Sequence, residues 1–80
     1  MNGLYSNSAE QIALSALFSS EAIRDFVLDS LHEKDFYHIE NKLIFSTAVS
    51  LKAKFAPVEP VSIAEDLKQR GKLDQAGGAE

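Results

Sequence analysis

The sequence predicts an all-α fold, a compact bundle of four helices. Apolar residues recur at helical spacing in four segments, and no stretch alternates apolar and polar residues with the period of two expected of a half-buried strand. Serine, proline and glycine residues stand between the segments, where helices are expected to begin and end. The 80 residues are 45% hydrophobic and 25% charged, a composition typical of one small globular domain.

The first helix is predicted to begin at Ser8 as its N-cap, with Gln11 at the capping-box position. Residues 1–7 ahead of it are expected to form a flexible leader. Leu14 and Phe18 lie on the far side of this helix from its core-facing stripe. That stripe follows the i, i+3, i+4, i+7, i+8 pattern and consists of Ala9, Ile12, Ala13, Ala16 and Leu17.

The second helix is predicted from about Glu21 to Leu31, capped by Ser19-Ser20. Its stripe is expected at Ile23, Phe26, Val27, Ser30 and Leu31, which leaves Leu28 outside. Fully burying a Phe or Leu side chain contributes roughly 1.5–3 kcal/mol. We therefore expect Phe26 and Leu31 to be strongly destabilising when replaced by Ala.

The third helix is predicted from about Ile39 to Phe55, before Pro57, which cannot continue a helix. Its apolar arc is broad enough for contact with several neighbours. The central residues of that arc are Ile44, Ala48, Leu51 and Phe55, and Leu43, Phe45 and Val49 widen it.

The fourth helix is predicted to begin at Ser62, with Glu65 completing a capping box, and to end at Gly71 in a left-handed C′ position. Leu73 is then placed to fold back onto Leu67. The domain is expected to cover residues 8–76, followed by a flexible end at residues 77–80.

Three blocks of residues stand in a distinctive order along the chain. The first is Ala9-Glu10-Gln11 with Leu14-Ser15-Ala16-Leu17, and the second is Asp35-Phe36-Tyr37 with Ile44-Phe45. The third is the run PVEPVSIAEDL at residues 57–67, followed by Gly71, Leu73 and Gly77-Gly78. Together, over residues 9–78, they resemble the N-terminal domain of DnaB-type replicative DNA helicases.

This resemblance implies an orthogonal four-helix bundle that helps to organise a hexameric ring and receives primase or a helicase loader in the primosome, in the cytoplasm. In the family a helical hairpin used in ring assembly follows the double glycine. The 80 residues end there, so association through that hairpin is not expected of them. ATP and Mg²⁺ are expected only for the motor domain of a full-length parent.

The chain itself is not expected to be an enzyme or to bind a cofactor or metal. None of its four glycines (Gly3, Gly71, Gly77 and Gly78) belongs to a GxxxxGK[ST] phosphate-binding loop, and there is no cysteine. With 12 acidic and 8 basic residues and a net charge of −4, the chain is a poor match for a phosphate backbone, so DNA contact is expected to be indirect. No apolar run is long enough to span a membrane.

Three other functions stay open from the sequence. The chain could be a stand-alone adaptor or inhibitor that mimics the helicase domain, or the helicase-binding domain of primase, which has a similar helical architecture. It could also be a small metal-assisted enzyme using His32 and His38. The metal-assisted enzyme is disfavoured because a metal site needs three or four converging ligands.

The expected partners are therefore proteins, including a second copy of the chain. Leu14, Phe18 and Leu28 fall outside the main stripes, and we predict that they contribute to a protein interface or to dimerisation.

Overall fold

The structure is a computed structural model that describes residues 6–76. Four α-helices follow one another: α1 (Asn7–Ala16), α2 (Glu21–Ser30), α3 (Ile39–Ala53) and α4 (Pro60–Gln69). Short 3₁₀ turns lie at Glu33–Asp35 and Asp74–Ala76. Residues 6–76 contain no β-strand, and the Cα radius of gyration is 11.6 Å. The predicted all-α class is confirmed.

The core is organised around α3, which packs against α1, α4 and both 3₁₀ turns. The rings of Phe36 and Phe45 meet at its centre, with centroids 4.9 Å apart and planes inclined by 33°, an arrangement favoured for aromatic pairs. The other buried apolar side chains are Leu14, Leu17, Val27, Ala48, Leu51, Val58, Ile63 and Leu67. The expectation that α3 contacts several neighbours is correct.

Two of the four predicted helix starts were wrong. α1 is capped by Ser6, whose Oγ accepts the Ala9 N–H at 3.0 Å, and not by Ser8. α4 begins at Pro60, two residues before the predicted cap Ser62, because the fixed φ of proline and its missing N–H suit the first helical position. The cap at Ser20 is correct, since its Oγ accepts the Ile23 N–H at 3.2 Å.

The predicted stripes of α1 and α2 were also partly wrong. Ile12 and Phe26 were placed in the core but are 70% and 71% exposed, whereas Leu14, placed outside the stripe, is only 7% exposed. α1 is turned so that Glu10, Leu14 and Leu17 face inward. Among the helices α2 packs mainly on α1, so one side of it buries Val27 and the side bearing Phe26 stays in solvent.

The end of α3 departs from the prediction too. The helix ends at Ala53, and Phe55, expected in the central stripe, is 97% exposed with φ +60°. The Phe55 N–H donates to the Lys52 carbonyl at 3.1 Å and the Ala56 N–H donates to the Leu51 carbonyl at 2.9 Å. This pair of bonds is the Schellman motif, which needs a left-handed residue at C′ and so turns the Phe55 side chain away from the core.

α4 ends in the same motif, with Gly71 at φ +70° in the left-handed position and the Lys72 N–H donating to the Leu67 carbonyl at 2.8 Å. The prediction for Gly71 is confirmed. Leu73 packs against the core cluster that contains Leu67.

The predicted leader (residues 1–7) and flexible end (residues 77–80) fall largely outside the described residues. Of these, Ser6 and Asn7 are described and belong to the start of α1.

Candidate protein-interaction surface

The three side chains predicted as an interface do not lie together at the surface. Leu14 belongs to the buried core, so the premise that it is uncovered was wrong. Leu28 is half-buried against that core and lines a cleft between α2 and α3, so its role at an interface stays a prediction. Phe18, which follows α1, is 37% exposed. Its role at an interface stays a prediction.

The outward side of α2 carries a more prominent apolar surface. Ile23 and Phe26 are three residues apart and so lie on one side of the helix, with Ser30 a turn further on. Ile23 is 46% exposed, and Phe26 is among the most exposed large apolar side chains of residues 6–76. Exposed apolar surface of this kind is typical of a binding site.

A cleft of about 530 Å³ opens beside Phe26, between the C-terminal half of α2 and the 3₁₀ turn that follows it. We call it the α2 cleft. It is lined by Phe26, Val27, Ser30, Leu31, His32, Lys34 and Asp35. A second cleft of about 220 Å³ shares Leu31 and His32 with it and continues towards Phe45 and Val49 of α3. Side chains of two helices and a turn thus form one grooved surface.

The surroundings of the α2 cleft are acidic. Residues 21–35 carry five acids and two bases. One base, Arg24, donates from Nε to the Leu17 carbonyl at 3.0 Å, and one acid, Asp25, lies 2.8 Å from the Lys52 ammonium. Asp29 and Glu33 remain exposed near the cleft. The α2 cleft itself is lined by one acid, Asp35, and one base, Lys34, within a segment that carries more acids than bases.

A different feature, at the junction of α1 and α3, is the most polar part of the interior. Glu10 is fully buried, and its two carboxylate oxygens gather donors from the segment that leads into α3. Oε2 accepts the Tyr37 N–H at 2.7 Å, and Oε1 accepts the Asn41 side-chain N–H at 2.7 Å and the His38 N–H at 3.3 Å. The His38 Nδ1 lies 3.2 Å from Oε1; a carboxylate only accepts, so Nδ1 carries the hydrogen.

This cluster acts as a cap that reaches α3 from another helix. The residue at the N-cap of α3, His38, makes no side-chain cap bond of its own, and the Glu10 carboxylate supplies the negative charge that a helix N-terminus favours. Burial alone would raise the pKa of Glu10. The hydrogen bonds from Asn41, from the backbone of Tyr37 and His38, and from the His38 ring outweigh it, so the pKa lies below its ordinary value of 4.5.

Sequence reasoning missed this role, because Glu10 entered it only as a member of the first resemblance block. The signal that could have found it was the pairing of the resemblance blocks, since Glu10 belongs to the first block and Tyr37 to the second. Helical periodicity does not predict that a charged residue lies in a core. The spacing of residues within α1 alone therefore could not have predicted that Glu10 is buried.

The histidines proposed for metal-assisted chemistry are engaged separately. His38 is tied to Glu10, while the His32 N–H donates to Asp35 Oδ2 at 2.8 Å and the His32 ring stays exposed. Within residues 6–76, no group of three or more His, Asp or Glu side chains converges to hold a metal ion. In the same part of the chain, no helix is long and apolar enough to cross a membrane.

Fold and surface together define a small all-α domain with an exposed apolar groove in an acidic segment of the chain. The family model described as the DnaB-like helicase N terminal domain matches residues 3–80, so the chain belongs to that family. The resemblance seen in the three sequence blocks is thereby confirmed.

Curated relatives agree with the family match. The chain is 32% identical over 69 residues to the replicative DNA helicase DnaB of Buchnera aphidicola subsp. Baizongia pistaciae, covering 86% of the chain and 15% of that protein. It is 33% identical over 73 residues to the same-named protein of Leifsonia xyli subsp. xyli, covering 90% and 16%. For that of Mycobacterium leprae the identity is 36% over 73 residues, covering 90% and 12%.

The chain thus spans 12–16% of the length of these relatives. No solved structure matches it.

Proposed function

We propose that this chain is the N-terminal protein-interaction domain of a replicative DNA helicase, that it helps to organise the hexameric ring, and that it receives primase or the helicase loader. The observation that carries the proposal is the apolar surface of α2 beside the α2 cleft, in a domain of this family. The excess of acids in residues 21–35 and the net charge of −4 suit a protein partner with basic residues better than they suit DNA.

The energy-consuming step is assigned to another part of the parent protein. The relatives named above are several times longer than this chain, and ATP with Mg²⁺ would be bound in the remainder of such a protein. The 80 residues would then act by presenting a docking surface, without hydrolysing nucleotide themselves, in the cytoplasm where replication takes place.

Docking at α2 is expected to depend on Phe26. A large aromatic side chain beside a cleft is the kind of residue that dominates binding energy at interfaces. The charged residues around the cleft would orient the partner and raise the rate of association more than they would raise the affinity.

The experiment is calorimetric titration of the chain with purified primase and, separately, with purified helicase loader. F26S is expected to weaken binding of the true partner at least tenfold. The matched control is I12S, which removes an equally exposed apolar side chain from α1 and is expected to leave affinity unchanged. Absence of binding to either protein, or equal binding by F26S and the unmodified chain, would contradict the proposal.

A further inference from the structure

Phe55 combines an exposed ring with a strained backbone. Its side chain is almost completely exposed, and its φ of +60° lies in the left-handed region, where a bulky residue is an outlier. At the end of α4 the same position is occupied by Gly71, which adopts this conformation without strain. Backbone strain of this kind clusters at binding and switching sites, so Phe55 is a candidate contact residue.

Two cations grouped around one acid begin at the residue before Phe55. The Lys54 ammonium lies 3.9 Å from Asp66 Oδ2, and Arg70 Nε donates to Asp66 Oδ1 at 2.6 Å. Arg70 Nη2 donates to the buried hydroxyl of Thr47 at 2.6 Å, which fixes the guanidinium between α4 and α3. Lys54 and Arg70 are both exposed. We call Phe55, Lys54 and Arg70 the Phe55 surface; its two positive charges face one negative charge, so its net charge is positive.

Charge is unevenly distributed along the chain. Residues 52–72 carry five bases and three acids, whereas residues 21–35 carry two bases and five acids. The segment that holds the Phe55 surface is therefore basic although the net charge of the chain is −4. A partner attracted to this surface differs in charge from a partner attracted to α2.

The arrangement of these charges favours an acidic protein segment over a nucleic acid. A single strand of nucleic acid needs a cationic groove that follows successive phosphates, as well as a ring on which a base stacks. Here Asp66 stands between the two cations, and Glu59 and Glu65 are exposed in the same segment. Successive phosphates would therefore meet carboxylates as well as cations.

An acidic peptide makes smaller demands on the same surface. Its carboxylates need one or two cations, and an apolar side chain beside them can pack on the Phe55 ring. An ammonium has three N–H donors, and the 3.9 Å between the Lys54 ammonium and Asp66 is too long for a hydrogen bond. Lys54 can therefore donate to an incoming carboxylate without giving up a hydrogen bond to Asp66.

We propose that the Phe55 surface binds an acidic segment of a second partner protein. An apolar side chain of that segment packs on the Phe55 ring, and its carboxylates lie beside Lys54 and Arg70. The surface is built at the ends of α3 and α4, whereas the α2 cleft is lined by α2 and the turn after it. The domain then carries two docking surfaces of opposite charge preference and can hold two different proteins. The proposed function concerns the α2 surface alone and does not depend on this one.

The test is a nuclear magnetic resonance titration of the ¹⁵N-labelled chain with a short synthetic peptide of aspartates around one central phenylalanine. The amides of Lys54, Phe55 and Arg70 are expected to shift, while those of α2 stay unchanged. The affinity is expected to fall as salt is added, because salt screens the opposed charges. A peptide with lysines in place of the aspartates is expected to leave the same three amides unchanged.

Variants separate the ring from the charge. F55G removes the ring and eases the backbone, so it is expected to stay folded by circular dichroism and to bind the acidic peptide at least tenfold more weakly. K54E reverses one charge and is expected to weaken binding at least threefold in low salt. The matched controls are I12S, which removes an exposed apolar side chain from α1, and K34E, which reverses an exposed charge in the turn after α2. Both are expected to bind the peptide like the unmodified chain.

A titration with oligothymidylate is run in parallel. Tighter binding of oligothymidylate than of the acidic peptide around Phe55, no shift around Phe55 with the peptide, or unchanged peptide binding by F55G would each overturn the inference.

Crossed measurements distinguish this inference from the proposed function. F26S is expected to bind the acidic peptide like the unmodified chain, and F55G is expected to bind primase or loader like the unmodified chain. Loss of the peptide result with primase or loader binding intact would overturn this inference alone. Peptide binding without any binding of primase or loader would support it and would overturn only the docking part of the proposed function.

Discussion

The carboxylate of Glu10 accepts the backbone N–H of Tyr37 at 2.7 Å, across 27 residues of sequence. This bond ties α1 to the start of α3. The same carboxylate accepts from Asn41 and His38, so one buried side chain holds α1 against the start of α3, the helix around which the core is organised. The stability of the domain should therefore depend on a residue that carries charge.

Replacing Glu10 with Gln is expected to lower the free energy of unfolding by about 3 kcal/mol. The substitution turns one carboxylate oxygen into an NH₂ group, and this group would face buried donors with which it cannot form a hydrogen bond. Urea denaturation followed by circular dichroism measures this. E21Q is the control, since Glu21 is exposed in the first turn of α2, and it is expected to stay within about 0.5 kcal/mol of the unmodified chain. Equal losses in the two variants would contradict the structural role of Glu10.

Acid should unfold the domain through the same residue. The pKa of Glu10 is below 4.5 in the folded chain and ordinary in the unfolded chain, so the unfolded state takes up the proton first as pH falls. The stability contributed by Glu10 is therefore fully present above about pH 4.5 and is lost as pH falls through the folded-state pKa. Unfolding free energies measured from pH 7 to pH 3 should converge for the unmodified chain and E10Q; curves that stay parallel would rule out this linkage.

Removing a phenylalanine ring should lower the stability of the domain much more in the core than at the surface. F36A is expected to destabilise the domain by roughly 3–5 kcal/mol, because it empties a buried site beside Phe45. F26A is expected to change stability by less than about 1 kcal/mol, since most of that ring is already in solvent. Thermal and urea denaturation of both variants provide the measurement, and a large loss in F26A would show that α2 is turned inward.

α3 and α4 each end at a residue with left-handed backbone, Phe55 and Gly71. Substitutions at these two residues should have opposite effects on stability. F55G is expected to raise the free energy of unfolding by roughly 0.5–1 kcal/mol, because relief of the left-handed strain exceeds the greater chain entropy of glycine. G71A is expected to lower it by about 1 kcal/mol for the converse reason; its added Cβ would meet no atom within 4 Å, so strain alone is responsible. Dilute samples are used so that association does not contribute, and a loss of stability in F55G would contradict the account of Phe55.

The sequence predicted features that depend on local chemistry, such as the cap at Ser20 and the stop at Gly71. It failed where a neighbouring element decides the outcome. Ile12 and Phe26 have the spacing of core residues, but a domain of this size has too few elements to cover them, and the buried Glu10 takes a place that periodicity would give to an apolar residue. The start of α4 was misplaced because Ser62 is a good cap while Pro60 is a better first residue.

The surface was hardest to predict for a related reason. Leu14 and Leu28 were chosen because they fall outside ideal stripes, and small rotations of α1 and α2 bring them against the core. The exposure of Phe55 was not predicted, because it follows from a left-handed turn that glycine usually makes. Nothing in the apolar pattern indicates that a phenylalanine makes this turn here.

The most direct test of the central claim is nuclear magnetic resonance mapping of the ¹⁵N-labelled chain during titration with unlabelled primase or loader, at a chain concentration too low for self-association. The amides of α2 and the turn after it, including those of Phe26, Leu31 and Lys34, are expected to shift or broaden, while those around Ile12 stay unchanged. Changes confined to α1 or α4, or no change with either protein, would contradict the account.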